Sequence, residues 1–229
     1  MIWGLEDIIT ISLLIISFII VIAAQAMVTS AYKKNKKKKN KRGLTGCEAA
    51  QKILAQNGLS HVYVVETKGE LSDHYDPSRK VVRLSREIFH GESIASLAIA
   101  AHECGHAIQD KEGYTFMRIR SALAPTVNFI TYFGYFAMII SIFAGITGYL
   151  YVSLGIIMAG LLFQLVTLPV EFDASRKALH QLESLGLIEM DEKPANEAML
   201  RAAAMTYVAS LISMVLNMLR ILIMIRNRD

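Results

Sequence analysis

Residues 8–28 read Ile-Ile-Thr-Ile-Ser-Leu-Leu-Ile-Ile-Ser-Phe-Ile-Ile-Val-Ile-Ala-Ala-Gln-Ala-Met-Val, an uncharged run of about the 20 residues with which a helix crosses a hydrocarbon core. Glu6 and Asp7 precede it and lysines follow it, whereas a secretory signal carries its positive charge ahead of the apolar stretch. The run therefore reads as a retained anchor. The charges that follow, Lys-Lys-Asn-Lys-Lys-Lys-Lys-Asn-Lys-Arg at 33–42, form a cationic block. Lysine and arginine beside a span stay in the cytoplasm, so the C-terminal end of this first helix is expected inside. The block reads as a solvated linker that touches anionic lipid, and nucleic acid is not an expected partner.

The whole chain fits a membrane as second solvent. Of its 229 residues, 53% are hydrophobic and the mean hydropathy is +0.38, more apolar surface than a soluble domain of this size buries. Only 19% of residues are charged, and the net charge of +4 is smaller than that of the 33–42 block alone. The basic character is local. Cys47 and Cys104 are the only cysteines, too few for a disulfide framework or a four-thiolate zinc site, and a reducing compartment fits best.

After the anchor (1–32) and the polybasic linker (33–42), residues 43–123 form a polar section. A helix is expected from Thr45 to Asn57, opened by the capping-box pattern Thr-Gly-Cys-Glu and stopped at Gly58. His61–Glu66 and Lys80–Leu84 are valine-rich and strand-like, flanking a turn-rich loop around Asp76-Pro77. Ser93 to Lys111 carries small apolar residues at helical spacing. Pro125 to Pro169 is too long for one span and is interrupted at Gly145–Gly148. It reads as a hairpin of two helices near 126–146 and 149–170, followed by a separate segment at 171–201. Ala202–Ile225 reads either as a fourth span or as a partly buried helix of the polar domain. Arg226 and Arg228 beyond it run against the positive-inside tendency.

The chemistry is carried by His102-Glu103-Cys104-Gly105-His106, an HExxH motif on a predicted helix. Residues four apart share a helical face, so two imidazoles can reach one zinc ion while the adjacent glutamate contacts a water on it. A catalytic zinc takes three protein ligands and keeps one open position. The extended form HExxHxxGxxH fails, because positions 109 and 112 are Gln109 and Glu112. The candidate third ligand is Glu171, the first acidic residue after the hairpin. If helix two leaves the cytoplasm and helix three returns, Glu171 emerges on the same side as His102 and His106. The bland alternative is a carboxylate that merely marks the interface.

Helical angle, about 100° per residue, sorts the other polar residues. Cys104 points away from the metal, and His180 falls on the face opposite Glu171. Ser175, four beyond Glu171, lies on the ligand face, where a hydrogen bond can orient a ligand. Asp173 faces away on a continuous helix, and fixes a neighbouring histidine only if the helix starts there. His74 lies in the turn-rich loop and is expected to be exposed.

The stretches Lys-Arg-Gly-Leu-Thr-Gly (41–46), Ser-Asp-His-Tyr-Asp-Pro (72–77), Ala-Ala-His-Glu-Cys-Gly-His-Ala-Ile-Gln (100–109) and Gln-Leu-Val-Thr-Leu-Pro-Val-Glu-Phe-Asp-Ala-Ser-Arg (164–176) resemble the bacterial YugP-like family of neutral zinc membrane peptidases. The resemblance runs over nearly the whole chain. It implies a multi-pass plasma-membrane protein with zinc held by His102, His106 and Glu171. More distantly, the pattern is similar to HtpX-type and CAAX prenyl proteases, whose third ligand is followed four residues later by an aspartate. Here that position is Ser175.

The expected fold is a mainly α membrane protein with three or four transmembrane helices. Its catalytic domain is expected to be α+β and zincin-like (gluzincin), with a small sheet and the HExxH helix, facing the cytoplasm. The expected activity is peptide hydrolysis with Zn2+, Glu103 as general base, and a peptide or protein substrate docking along Lys80–Leu84 as a sheet edge. The rival is a non-catalytic zinc-containing scaffold or chaperone-like subunit. Such a site needs no glutamate beside its first histidine and is usually closed by a fourth protein ligand. A metal carrier is disfavoured, since His-rich tracts are absent.

Overall fold

The computed structural model describes residues 4–144 and 148–227, with nothing said of the side chains at 141 and 142. The elements run α1 (Leu5–Lys36), α2 (Gly46–Gln56), β1 (Tyr63–Thr67), β2 (His74–Asp76), β3 (Val81–Ser85), α3 (Arg86–His90), α4 (Ile94–Lys111), α5 (Thr115–Phe143), α6 (Tyr149–Ser184) and α7 (Lys193–Arg226). They fall into two compact units. One holds the described parts of 1–25, 118–168 and 206–229; the other holds 26–117 and 169–205.

The first unit is built from apolar stretches of α1, α5, α6 and α7, all four of which are long and apolar enough to cross a membrane, with mean hydropathies of 2.7, 1.4, 2.0 and 2.2 over an 18-residue stretch of each. The fourth-span reading of 202–225 is therefore the one its helix fits. Of the expected turn at 145–148, residues 145–147 lie outside the described residues. Two helix limits differ from expectation. α5 begins at Thr115 with Pro125 inside it, and α6 runs through Pro169 to Ser184. A proline removes one intrahelical bond, and a helix held by apolar surroundings on both sides of it continues nonetheless. The third span and the acidic segment after it are thus one element, where the sequence reading divided them at 170. Within this unit Gln164 Nε2 donates to Tyr207 O at 2.8 Å and Asn217 Nδ2 to Ser17 Oγ at 3.2 Å. Side-chain amides of this kind link helices where water is absent.

The second unit contains the polar section. α2 is capped as its sequence predicts: Glu48 N donates to Thr45 Oγ1 at 3.2 Å and Thr45 N to Glu48 Oε2 at 2.8 Å. The sheet has three strands in the order β1-β3-β2, β1 parallel to β3 and β2 antiparallel to it. Two expectations are corrected here. His74–Asp76, read as part of a turn, is a strand whose Tyr75 pairs with Val82, because burying the Tyr75 ring draws this short segment onto β3. In consequence β3 is the central strand and cannot serve as the docking edge expected of Lys80–Leu84; the edges are β1 and β2. The core brings Ala49, Ala50, Ile53 and Leu54 of α2 against Leu97, Ala101 and Cys104 of α4 and Val82 and Leu84 of β3.

The cationic block is also more structured than a linker. Its first residues complete α1. Lys36 pairs with Glu70 and Glu87, Lys39 with Glu92, Lys41 with Asp191 and Arg42 with Glu189. Such exposed pairs contribute little each, about 0–1 kcal/mol, but together they give half of the block carboxylate partners within this unit.

Candidate metal centre

The centre lies in the second unit, between α4 and α6. The helix that carries it begins where Ser93 Oγ accepts from Ser96 N at 3.0 Å, and from that N-cap the 3.6-residue period turns His102 and His106 to one side. Their rings sit 4.8 Å apart, centroid to centroid. Glu171, in the part of α6 that follows Pro169, meets them there: its Oε2 is 3.3 Å from His102 Nε2 and 3.8 Å from His106 Nε2. One ligating atom from each residue lies within 4.8 Å of the other two. Ligands about 2.0–2.2 Å from a tetrahedral zinc stand roughly 3.3–3.6 Å from one another; the two Glu171–histidine distances lie near that range, and the donor set fits this ion in number and type. Two neutral imidazoles and a buried carboxylate are borderline ligands of the kind zinc takes.

Gly105 explains how the two helices come so close. A Cβ built there would stand 2.5 Å from the Ala174 carbonyl oxygen, a backbone atom. Any larger residue would push α6 away and carry Glu171 with it. Cys104, the neighbour on the far face, is buried with its thiol 3.7 Å from Ala50 O, packed and off the metal face as expected.

Around the three candidate ligands the helices supply a set of orienting contacts. Ser175 Oγ lies 3.2 Å from His102 Nδ1, where the helical angle places it. With Nε2 turned toward a metal, Nδ1 would carry the proton and donate a hydrogen bond to this hydroxyl. His106 Nδ1 faces Gln109 Oε1 at 3.0 Å. The Gln109 amide nitrogen in turn donates to Val170 O at 2.8 Å and Asp173 Oδ2 at 2.9 Å. Asp173 thus touches no histidine itself but holds the amide that does, and it does so on a continuous α6. Gln109 was missed in the sequence because it lies one helical turn from His106 and gains its partners only from α6. It is fully buried, and an amide has one acceptor for the imidazole and two donors for the helix opposite. Gln109→Leu is expected to leave the fold intact and weaken zinc binding by about 10–100-fold, measured by competition with a chromogenic chelator.

Glu103 is buried beside the ligands. Burial pushes its carboxyl up to about 7, opposed by His102 and the Tyr75 backbone N–H and reinforced by Glu171 and Asp73. A carboxyl that both takes and returns protons works best with a pKa near the working pH. Asp73 is itself held by Ser85, whose N donates to Oδ1 at 2.7 Å and whose hydroxyl lies 3.2 Å from Oδ2; burial raises its carboxyl. His74 and His180 are exposed and outside the cluster.

The chain is similar to known proteins over most of its length. A "Putative membrane protease YugP" from Bacillus subtilis (strain 168) is 39% identical over 209 residues, covering 90% of this chain and 92% of that protein. No solved structure matches the chain. The family described as "Putative neutral zinc metallopeptidase" matches residues 10–226, and with the match covering both units, the chain belongs to that family.

Proposed function

We propose that the protein is a membrane-embedded zinc metallopeptidase that hydrolyses peptide bonds, with His102, His106 and Glu171 as metal ligands and Glu103 as general base. The observation that carries this reading is the convergence of the three ligating atoms within 4.8 Å, with Glu103 buried one residue from His102. Zinc held there supplies Lewis acidity toward the scissile carbonyl and makes a water acidic enough to attack at neutral pH. Glu103 accepts the proton of the attacking water and delivers it to the departing amine nitrogen, so one carboxyl serves as base and then as acid. Ser175 and Gln109 keep the two imidazoles in the tautomer and orientation that turn Nε2 inward. β2 is the sheet edge nearest this chemistry, since the Tyr75 N–H supports Glu103; an extended peptide adding along it would bring a carbonyl toward the base. A small sheet beside the HExxH helix, with a glutamate proposed as third ligand, supports reading the unit as zincin-like and of the gluzincin kind. Chelator treatment of the purified protein should abolish its cleavage of a mixed membrane and soluble proteome, and zinc should restore it. Cleavage that persists in chelator at zero metal content would overturn the reading.

The same reading places 43–123 and 171–200 in the cytoplasm and the 145–148 turn outside, in a plasma membrane, because lysine and arginine flank the first span on that side. Cysteines placed singly at Lys37, Ser78, Gly148 and Lys193, after replacement of Cys47 and Cys104, check it in intact cells. Only the Gly148 site should react with a membrane-impermeant reagent. Labelling of Ser78 without Lys193 would put the histidines and Glu171 on opposite sides of the bilayer.

A further inference from the structure

Arg220 has no place in the chemistry above. It lies in the apolar part of α7, six residues before Arg226, whose Nη2 meets Glu6 Oε1 at 3.3 Å. At 1.5 Å per residue that sets Arg220 about 9 Å further into the span. A guanidinium this deep is costly unless an anion or strong acceptors compensate it. The apolar parts of α5, α6 and α7 offer no acid for the purpose, since the sequence has no Asp or Glu between Glu112 and Glu171, nor between Glu197 and Asp229, and Glu6 of α1 is taken by Arg226. Among the described residues Arg220 Nε is buried with no hydrogen-bond partner.

The side chain is also not turned simply to lipid, as a snorkelling arginine would be. It lines a cavity of about 360 Å³ within the first unit, together with the polar Thr131, Tyr135 and Asn217 and the apolar Ile156 and Met214. That volume lies in the range of small-molecule sites, roughly 300–1,000 Å³. The cavity therefore combines a half-buried cation whose Nε has no partner, hydroxyl groups and apolar side chains, all among helices long and apolar enough to be surrounded by lipid. The occupant that matches all three is an amphiphile with an anionic head.

We propose that this cavity binds an anionic phospholipid, its phosphate on the Arg220 guanidinium and a length of acyl chain against Ile156 and Met214. Guanidinium matches phosphate in charge and in donor geometry, and a bilayer presents the ligand directly to a cavity within the span. The site lies toward the same end of the first unit as the N-terminal end of α1, where Arg226 meets Glu6, so the lipid comes from the leaflet at that end. This inference rests on the four helices spanning a bilayer and not on the peptidase reading. Retention in the membrane fraction after carbonate extraction checks that premise separately.

The test is lipid titration of the detergent-solubilised full chain, followed by native mass spectrometry and thermal stability. Phosphatidylglycerol, phosphatidylcholine and inorganic phosphate are added in separate arms. The wild type should retain phosphatidylglycerol and gain stability from it, with the other two having little effect. Arg220→Met should weaken phosphatidylglycerol binding about 10-fold or more, the worth of a charge-assisted hydrogen bond, while Arg220→Lys keeps part of it. Gly160→Leu gives a second route, since a Cβ there already stands 3.3 Å from the Met214 methyl and a larger side chain enters the cavity without touching Arg220; it should lose binding too. Equal retention by wild type and both loss variants would overturn the site. An equal response to phosphatidylcholine would overturn the requirement for an anion, and one to inorganic phosphate would overturn the assignment to lipid.

Discussion

Glu103→Gln is expected to keep zinc at wild-type occupancy and lose peptide hydrolysis by about 10²–10⁴-fold, the usual contribution of a positioned proton-transfer group. The amide has the carboxylate's shape, and its oxygen can still accept from the Tyr75 N–H that faces Glu103. The change removes only the capacity to take a proton from water and return it to the amine. The three ligating atoms belong to other residues, so metal content should not move. A buried carboxyl replaced by a neutral amide also sheds a desolvated charge, and the thermal unfolding midpoint should not fall. The comparison needed is zinc content, unfolding temperature and cleavage rate on one preparation. Undiminished cleavage by Glu103→Gln would remove the general-base assignment, and is what a scaffold with structural zinc predicts.

Zinc content is expected to collapse in each of His102→Ala, His106→Ala and Glu171→Ala, by more than the roughly 10–100-fold expected of Gln109→Leu, which only reorients a ligand. Each variant leaves two protein ligands where the site supplies three. Glu171→Ala is the most informative, since Glu171 is the proposed ligand that comes from the other helix and the one whose assignment depends on tertiary structure. Elemental analysis of purified protein against protein concentration reads the result. Full occupancy in Glu171→Ala beside empty histidine variants would place the third ligand elsewhere, with Asp173 the neighbour to examine. That outcome would also require Asp173 to leave Gln109 Nε2, 2.9 Å away, and so to disturb the support of His106.

Both experiments probe features of different legibility. The first long apolar helix was legible from composition alone, because an uncharged run of about 20 residues is what a hydrocarbon core accepts. The α2 start was legible because its capping box is a contact between residues three apart, Thr45 and Glu48. The pairing of His102 with His106 on one face follows from helix geometry, as does Ser175 one turn beyond Glu171. The limits of α5 and α6 were not. Pro125 and Pro169 look like boundaries locally, and only their surroundings keep the helices continuous through them.

What the sequence by itself determined is what local periodicity and solvent preference decide: apolar runs long enough to span a bilayer, a capped α2, and an HExxH helix that offers two imidazoles and a carboxyl on known faces. What only the tertiary structure decided are the contacts between segments far apart in the chain. β2 is a strand because Tyr75 finds Val82, which makes β3 central. Glu171 reaches the histidines because Gly105 lets the α4 backbone approach Ala174. Gln109 becomes a support for His106 because Val170 and Asp173 face it from α6. Each of these depends on two surfaces meeting at a distance of a few ångströms, and no period of 2 or 3.6 along a single segment encodes which surface lies opposite.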